Sequence, residues 1–88
     1  MIEREVTIRN RAGLHTRPAA SLVKLAAKFK ADFFITKDGF EINGKSIIGV
    51  MTLAAEQGSR LHLSTSGVDE AEAMNAIVQL IESGFNEE

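Results

Sequence analysis

Apolar and polar residues alternate over residues 2–9, with Ile2, Val6 and Ile8 on one side and Glu3, Glu5, Thr7 and Arg9 on the other. That period of two predicts a strand buried on one face. Asn10 to Gly13 reads as a loop. Between residues 16 and 29 the period changes: Ala19, Leu22, Val23, Ala26 and Phe29 recur at helical spacing, with Pro18 in the first turn, where a missing N–H costs nothing. Phe33 and Ile35, then Phe40 and Ile42, flank Lys37-Asp38-Gly39, and Asp-Gly between two alternating runs predicts a hairpin. Ser46 introduces a short helix from Ile47 that Gly58 is expected to stop. Residues 60–66 alternate again, with Leu61, Leu63 and Thr65 inward. Asp69 followed by Glu72 matches a capping box for a last helix, whose stripe is Met74, Ile77, Val78 and Ile81 and whose end is Gly84.

The predicted order is βαββαβα. Hairpin pairing and long connections point to an α+β fold, an open-faced β-sandwich with a four-stranded antiparallel sheet and three helices on one face, spanning residues 1–88 as a single domain. A chain of 88 residues buries only about 60–65% of its unfolded surface. It has one modest core and no room for a deep substrate cavity, so its chemistry belongs on the surface. The absence of cysteine excludes a disulfide scaffold, a thiolate zinc site and a thiol nucleophile. No run approaches the length that spans a membrane, and the first residues lack the layout of a secretory signal, so no membrane insertion is expected and the cytoplasm is the expected location.

Charge is uneven. Residues 1–44 hold eight Lys and Arg against five Asp and Glu, and residues 45–88 hold two against seven. The basic surplus gathers around Arg9, Arg11, Arg17, Lys24, Lys28 and Lys30, a pattern that suits an acidic protein surface or a single phosphate. With neither Tyr nor Trp and a net charge of −2, the stacking and basic footprint of a nucleic-acid module is missing. His15 and His62 are the only histidines, and the carboxylates show no ligand spacing, so no metal site is expected. His62 falls on the polar face of its strand and reads as exposed and inert. The five Phe read mostly as core or sheet-face residues, with Phe34 opposite Phe33 and partly exposed.

Gly39 to Ser46 fits the G-x-x-x-x-G-K-S phosphate-loop expression. The motif works only as a glycine-rich loop between a buried strand and a long helix, whereas Phe40 to Ile42 read as the second arm of a hairpin. A nucleotide site is therefore rejected. The informative segment is Gly13-Leu14-His15-Thr16-Arg17-Pro18-Ala19-Ala20. A histidine there lies between a glycine loop and a helix N-terminus, with either Thr16 or His15 as the cap. The unpaired backbone N–H groups of the first turn, with Arg17, suit a small dianion, and the positive end of the dipole disfavours the imidazolium. A neutral ring is a nucleophile, and the donors around it would hold a phosphoryl group after attack.

That segment resembles the active-site signature of the histidine-containing phosphocarrier (HPr) family of the bacterial sugar phosphotransferase system. Lys45-Ser46-Ile47-Ile48-Gly49-Val50-Met51 is similar to the same family's regulatory-serine segment, and length and element order match throughout. The resemblance implies that His15 accepts a phosphoryl group on Nδ1 from phosphorylated Enzyme I and passes it to a histidine of an Enzyme IIA domain. Arg17 and the backbone N–H groups of Thr16 and Arg17 would stabilise the phosphoryl charge. Lys24, Lys28 and Lys45 would dock on acidic partner surfaces, and Ile47, Ile48 and Met51 would form an apolar contact patch. Ser46 would be the target of an HPr kinase/phosphorylase where one exists. No cofactor is implied, and a monomer is expected. Ala12 departs from the small polar residue usual before Gly13, which removes a side-chain donor or acceptor near the histidine. The same resemblance also fits a regulatory HPr-like module, or a nitrogen-type phosphotransferase paralogue, without a role in sugar transport.

Overall fold

The computed structural model describes residues 1–86. Its elements are β1 (Ile2–Thr7), α1 (Thr16–Ala26), β2 (Asp32–Lys37), β3 (Phe40–Asn43), α2 (Ile47–Thr52), β4 (Arg60–Ser66) and α3 (Glu70–Glu82), followed by a 3-10 turn, Gly84–Asn86. The strands form one sheet in the order β1-β4-β2-β3, and every neighbouring pair is antiparallel. β4 lies between β1 and β2 and sets both registers: Val6 opposes Leu61, and Ile35 opposes Leu63 on one side and Ile42 on the other.

The period of two holds. Val6, Phe33, Ile35, Ile42, Leu61, Leu63 and Thr65 are buried on one face, against Ala19, Leu22 and Ala26 of α1, Val50 of α2, and Ala73, Met74, Ile77 and Ile81 of α3. The one hydroxyl in that set is satisfied, because Thr65 Oγ1 donates to the Glu70 carbonyl at 3.0 Å. Lys37 pairs with Phe40 across a two-residue loop in which Asp38 and Gly39 have φ of 52° and 81°. Positive φ at both positions is the left-handed reversal that matches strand twist, and Asp-Gly supplies it at low cost. Phe40, expected on a sheet face, is 59% exposed beside this turn.

Three expectations are corrected. α1 ends at Ala26, and residues 27–29 close it with shorter-range bonds, Lys28 N–H to Leu25 and Phe29 N–H to Ala26 carbonyls. α2 ends at Thr52, well before Gly58: the chain reverses at Ala54, whose φ is 50°, and Gly58 instead donates its N–H to the Ile8 carbonyl in the turn before β4. The capping box at α3 does not form. Asp69 is the N-cap residue without a side-chain cap bond, because its carboxylate accepts from the Lys30 and Ala31 N–H groups, both at 2.8 Å. A long-range contact has outcompeted the local one. The Lys30 N–H bond is also the main reason that the Asp69 carboxyl is held below the usual carboxylate range, with burial opposing and the Ala31 N–H assisting.

Candidate functional site

The choice of cap at α1 is settled in favour of His15. Its backbone is extended (φ −83°, ψ −170°), its carbonyl accepts the Ala19 N–H at 2.9 Å, and its ring makes no cap bond to the first turn. Thr16, Arg17 and Pro18 therefore occupy the first three helical positions. Proline has no N–H, so the donors at this end are those of Thr16 and Arg17, and the first turn holds no acidic residue to compete for them. Pro18 and Ala19 are buried and fix the helix head, while His15, Thr16 and Arg17 are exposed.

The loop before the histidine is held from both ends. Asn10, buried in a segment that reads as plain loop, donates through Nδ2 to the Gly13 carbonyl at 2.7 Å and accepts the Gly13 N–H on its own carbonyl at 3.1 Å. Leu14 is buried and donates its N–H to the Ala55 carbonyl at 2.8 Å. Gly13 (φ 73°) packs so closely on this segment that a Cβ there would lie 2.5 Å from the Ala55 oxygen. The imidazole is thus mounted on a backbone with little freedom.

Two shallow depressions meet at His15. Arg17, Pro18, Ser21, Phe85 and Asn86 complete one, and Leu14, Met51, Ala54, Ala55 and Glu56 the other, with Ala12 in both. Residues from three stretches of the chain, 12–21, 51–56 and 85–86, therefore line the surface around His15. Phe85, Asn86 and Glu56 were not singled out from the sequence; Gly84 reads as a helix stop and says nothing of where the next residues go.

The remaining candidates are distributed as follows. Ser46 caps α2, its Oγ accepting the Gly49 N–H at 3.1 Å, and it is exposed. Ile47, Ile48 and Met51 are 37%, 74% and 42% exposed, and Met51 reaches the depression beside His15. Lys24 and Lys28 are exposed along the groove between α1 and α3, with Ser21, Leu25 and Leu80. Lys45 is engaged internally: its Nζ donates to the Phe29 carbonyl at 2.8 Å and ties the end of α1 to the start of α2. That contact, with Phe40–Asn43 in a strand and Gly44 seated against the Phe33 ring, leaves no phosphate loop in the segment that matches the expression.

His62 is neither fully exposed nor isolated. On the face of the sheet away from the helices, its Nε2 lies 2.7 Å from a Glu3 oxygen and its Nδ1 3.5 Å from one of Glu5, which Arg60 also meets at 3.1 Å. Among the described residues no group of His, Cys, Asp and Glu could hold a metal ion, and no helix is long and apolar enough to cross a membrane.

An exposed imidazole at the head of a helix, beside two backbone donors and a guanidinium and outside any enclosing cavity, belongs to a protein that carries a group on its surface. The comparisons define which. Residues 2–83 match the family model described as the PTS HPr component phosphorylation site. A phosphocarrier protein HPr of Xylella fastidiosa is 44% identical over 88 residues, covering 100% of this chain and 99% of that protein. An HPr-like protein Crh of Halalkalibacterium halodurans is 46% identical over 82 residues, covering 93% and 98%. Among solved structures, an HPr of Thermoanaerobacter tengcongensis superposes with a TM-score of 0.97 at 48% identity, covering 100% of this chain and 99% of that one. An HPr dimer of the same organism gives 0.80 at 47% identity, covering 99% of this chain and 100% of that one. The chain belongs to the HPr phosphocarrier family.

Proposed function

We propose that this chain carries a phosphoryl group on His15 in the cytoplasm, accepting it from phosphorylated Enzyme I and delivering it to an Enzyme IIA domain during sugar uptake. The observation that carries the reading is His15 at the N-cap of α1, next to the Thr16 and Arg17 N–H groups and the Arg17 side chain. In the forward step Nδ1 of the neutral ring attacks phosphorus, the bond from phosphorus to the donor histidine breaks, and the electron pair returns to the donor ring. The new phosphoryl oxygens meet the helix N-terminus and the guanidinium, which offset their charge. Such a transfer needs positioning and charge stabilisation more than an enclosed site.

Ile47, Ile48 and Met51 supply an exposed apolar patch whose Met51 lies in the depression with His15, and Lys24 and Lys28 a basic flank for acidic partners. Lys45 would add to that flank with its charge while its amino group stays on Phe29. A small, partly polar footprint suits partners that must separate quickly, and a single copy suffices as the working unit. Ser46 is the regulatory position: a phosphate there would add about −1.5 to −2 charges next to the apolar patch and weaken docking without unfolding the domain. Incubation with Enzyme I and phosphoenolpyruvate is expected to add one acid-labile phosphoryl group, absent from His15→Ala. Equal labelling of that variant would overturn the reading.

A second reading, a regulatory module controlled at Ser46 or a nitrogen-type paralogue, draws on the exposed Ser46 hydroxyl and on relatives named Crh and NPr. Transfer from the phosphorylated protein to a sugar-specific IIA domain separates the two, since only the first requires it.

A further inference from the structure

The two depressions that meet at His15 carry opposite charge. Arg17 is the charged residue lining one, and Glu56 the charged residue lining the other, among the described residues. A carboxylate on the rim of a site built for an anion has no place in the binding of a phosphoryl group. Glu56 is exposed, but its backbone is fixed. The Glu56 N–H donates to Ser59 Oγ at 3.0 Å, and its carbonyl accepts the Ser59 N–H at 3.0 Å. A Cβ on Gly13 would lie 2.9 Å from the Glu56 Cα, so the backbone that bears this carboxylate is packed on the loop that bears His15.

We propose that Glu56 is a positioning residue for phosphoryl release, acting on the ring from the depression that Arg17 does not line. The inference rests on the reading of His15 as the phosphoryl acceptor. Once Nδ1 holds phosphorus, the remaining ring nitrogen, Nε2, carries the proton that decides how the group leaves. With Nε2 protonated, the P–N electron pair returns to Nδ1 and the ring departs as neutral imidazole. Without that proton it must depart as imidazolate, a far poorer leaving group. A nearby carboxylate favours the protonated, cationic ring and disfavours the added phosphoryl charge. Both effects make the phosphoryl group easier to pass on, whether to a histidine or to water. Arg17 and the helix N-terminus act in the other sense, so Arg17 and Glu56 pull the lifetime of the phosphorylated state in opposite directions.

Chemical phosphorylation makes the test independent of any docking partner. Potassium phosphoramidate is the donor: Nδ1 attacks its phosphorus, the P–NH2 bond breaks and ammonia leaves. Wild type, Glu56→Gln and Glu56→Asp are phosphorylated this way, freed of reagent, and followed by phosphorus NMR across a series of pH values as water takes the phosphoryl group. Glu56→Gln is expected to lose its phosphoryl group about three- to tenfold more slowly near neutral pH, with the inflection of its profile moved to lower pH. Glu56→Asp is expected to stay near wild type, and high salt to narrow the gap. Superimposed decay of wild type and Glu56→Gln at every pH overturns the inference and leaves the acceptor reading standing. Failure of the wild type to take the group on His15 overturns both.

Discussion

Gly13 is the residue on which the mounting of the histidine depends, and replacing it separates two costs that usually arrive together. Its φ of 73° places any L side chain in the left-handed region, and a Cβ there would sit 2.5 Å from the Ala55 oxygen and 2.9 Å from the Glu56 Cα. Both neighbours are backbone, so no side chain can swing away, and the Ala55 carbonyl already accepts the Leu14 N–H at 2.8 Å. Gly39 provides the control: its φ is 81°, but a Cβ there would meet nothing within 4 Å. Gly39→Ala should therefore cost the left-handed penalty alone, about 1–2 kcal/mol. Gly13→Ala should cost that plus about 1–3 kcal/mol for overpacking. A small domain melts roughly 4–8 °C lower per kcal/mol lost. The Gly13 variant is thus expected to melt lowest, at least about 8 °C below wild type, and the Gly39 variant in between. Thermal unfolding followed by far-ultraviolet circular dichroism measures both. A Gly13→Ala protein melting no lower than Gly39→Ala would show that the 54–58 segment yields freely, and the account of a rigid mount would be wrong.

Three other substitutions test neighbouring parts of the same logic. Ala54 is a non-glycine residue with φ 50°, so Ala54→Gly should stabilise by up to about 1 kcal/mol, the left-handed penalty less the entropy of glycine, read as a higher melting temperature. Ser46→Ala removes the cap bond to Gly49 and should cost about 1 kcal/mol in urea unfolding, with the fold retained. Asp69 titrates below its ordinary range because the Lys30 N–H binds its ionised form. A depressed folded value contributes stability above the unfolded carboxylate range that is lost as pH falls through the folded value. Asp69→Asn is accordingly expected to be less stable than wild type at neutral pH, and the gap to close on acidification; a gap that stays constant down to strong acid refutes the assignment.

The fold was legible because its signals are local. Phe33 and Ile35, Leu61 and Leu63, and the stripe of Met74, Ile77 and Ile81 each carry their period within one element, and all are buried where that period puts them. Asp38-Gly39 names its own turn. The local capping rule fails at α3 because a partner 39 residues away, the Lys30 N–H, takes the Asp69 carboxylate. The histidine and its helix could be found for the same reason as the strands: glycine, cap and proline stand side by side in the chain.

What surrounds the histidine could not be read in the same way, and the reason is conformational. Glu56 lines a depression beside His15 because the chain turns at Ala54 (φ 50°), and the turn bearing Phe85 and Asn86, with φ of 58° and 60°, lines the other. Sequence rules assign left-handed backbone to Gly, Asn and Asp, because a Cβ branch or bulk makes it costly elsewhere. Alanine and phenylalanine in that region are held there by tertiary contacts: Ala54 by the packing of Leu53 and Ala55 on either side, both buried, and Phe85 by its own burial to 7% exposure. The core thus selects the two reversals, and the reversals deliver a carboxylate and an aromatic turn to a histidine that belongs to neither segment. Strain at those positions is expected where a site draws on several distant stretches of a short chain. Relieving it at Ala54 should raise stability while disturbing how Glu56 is presented, so stability and the lifetime of the phosphorylated histidine need not move together.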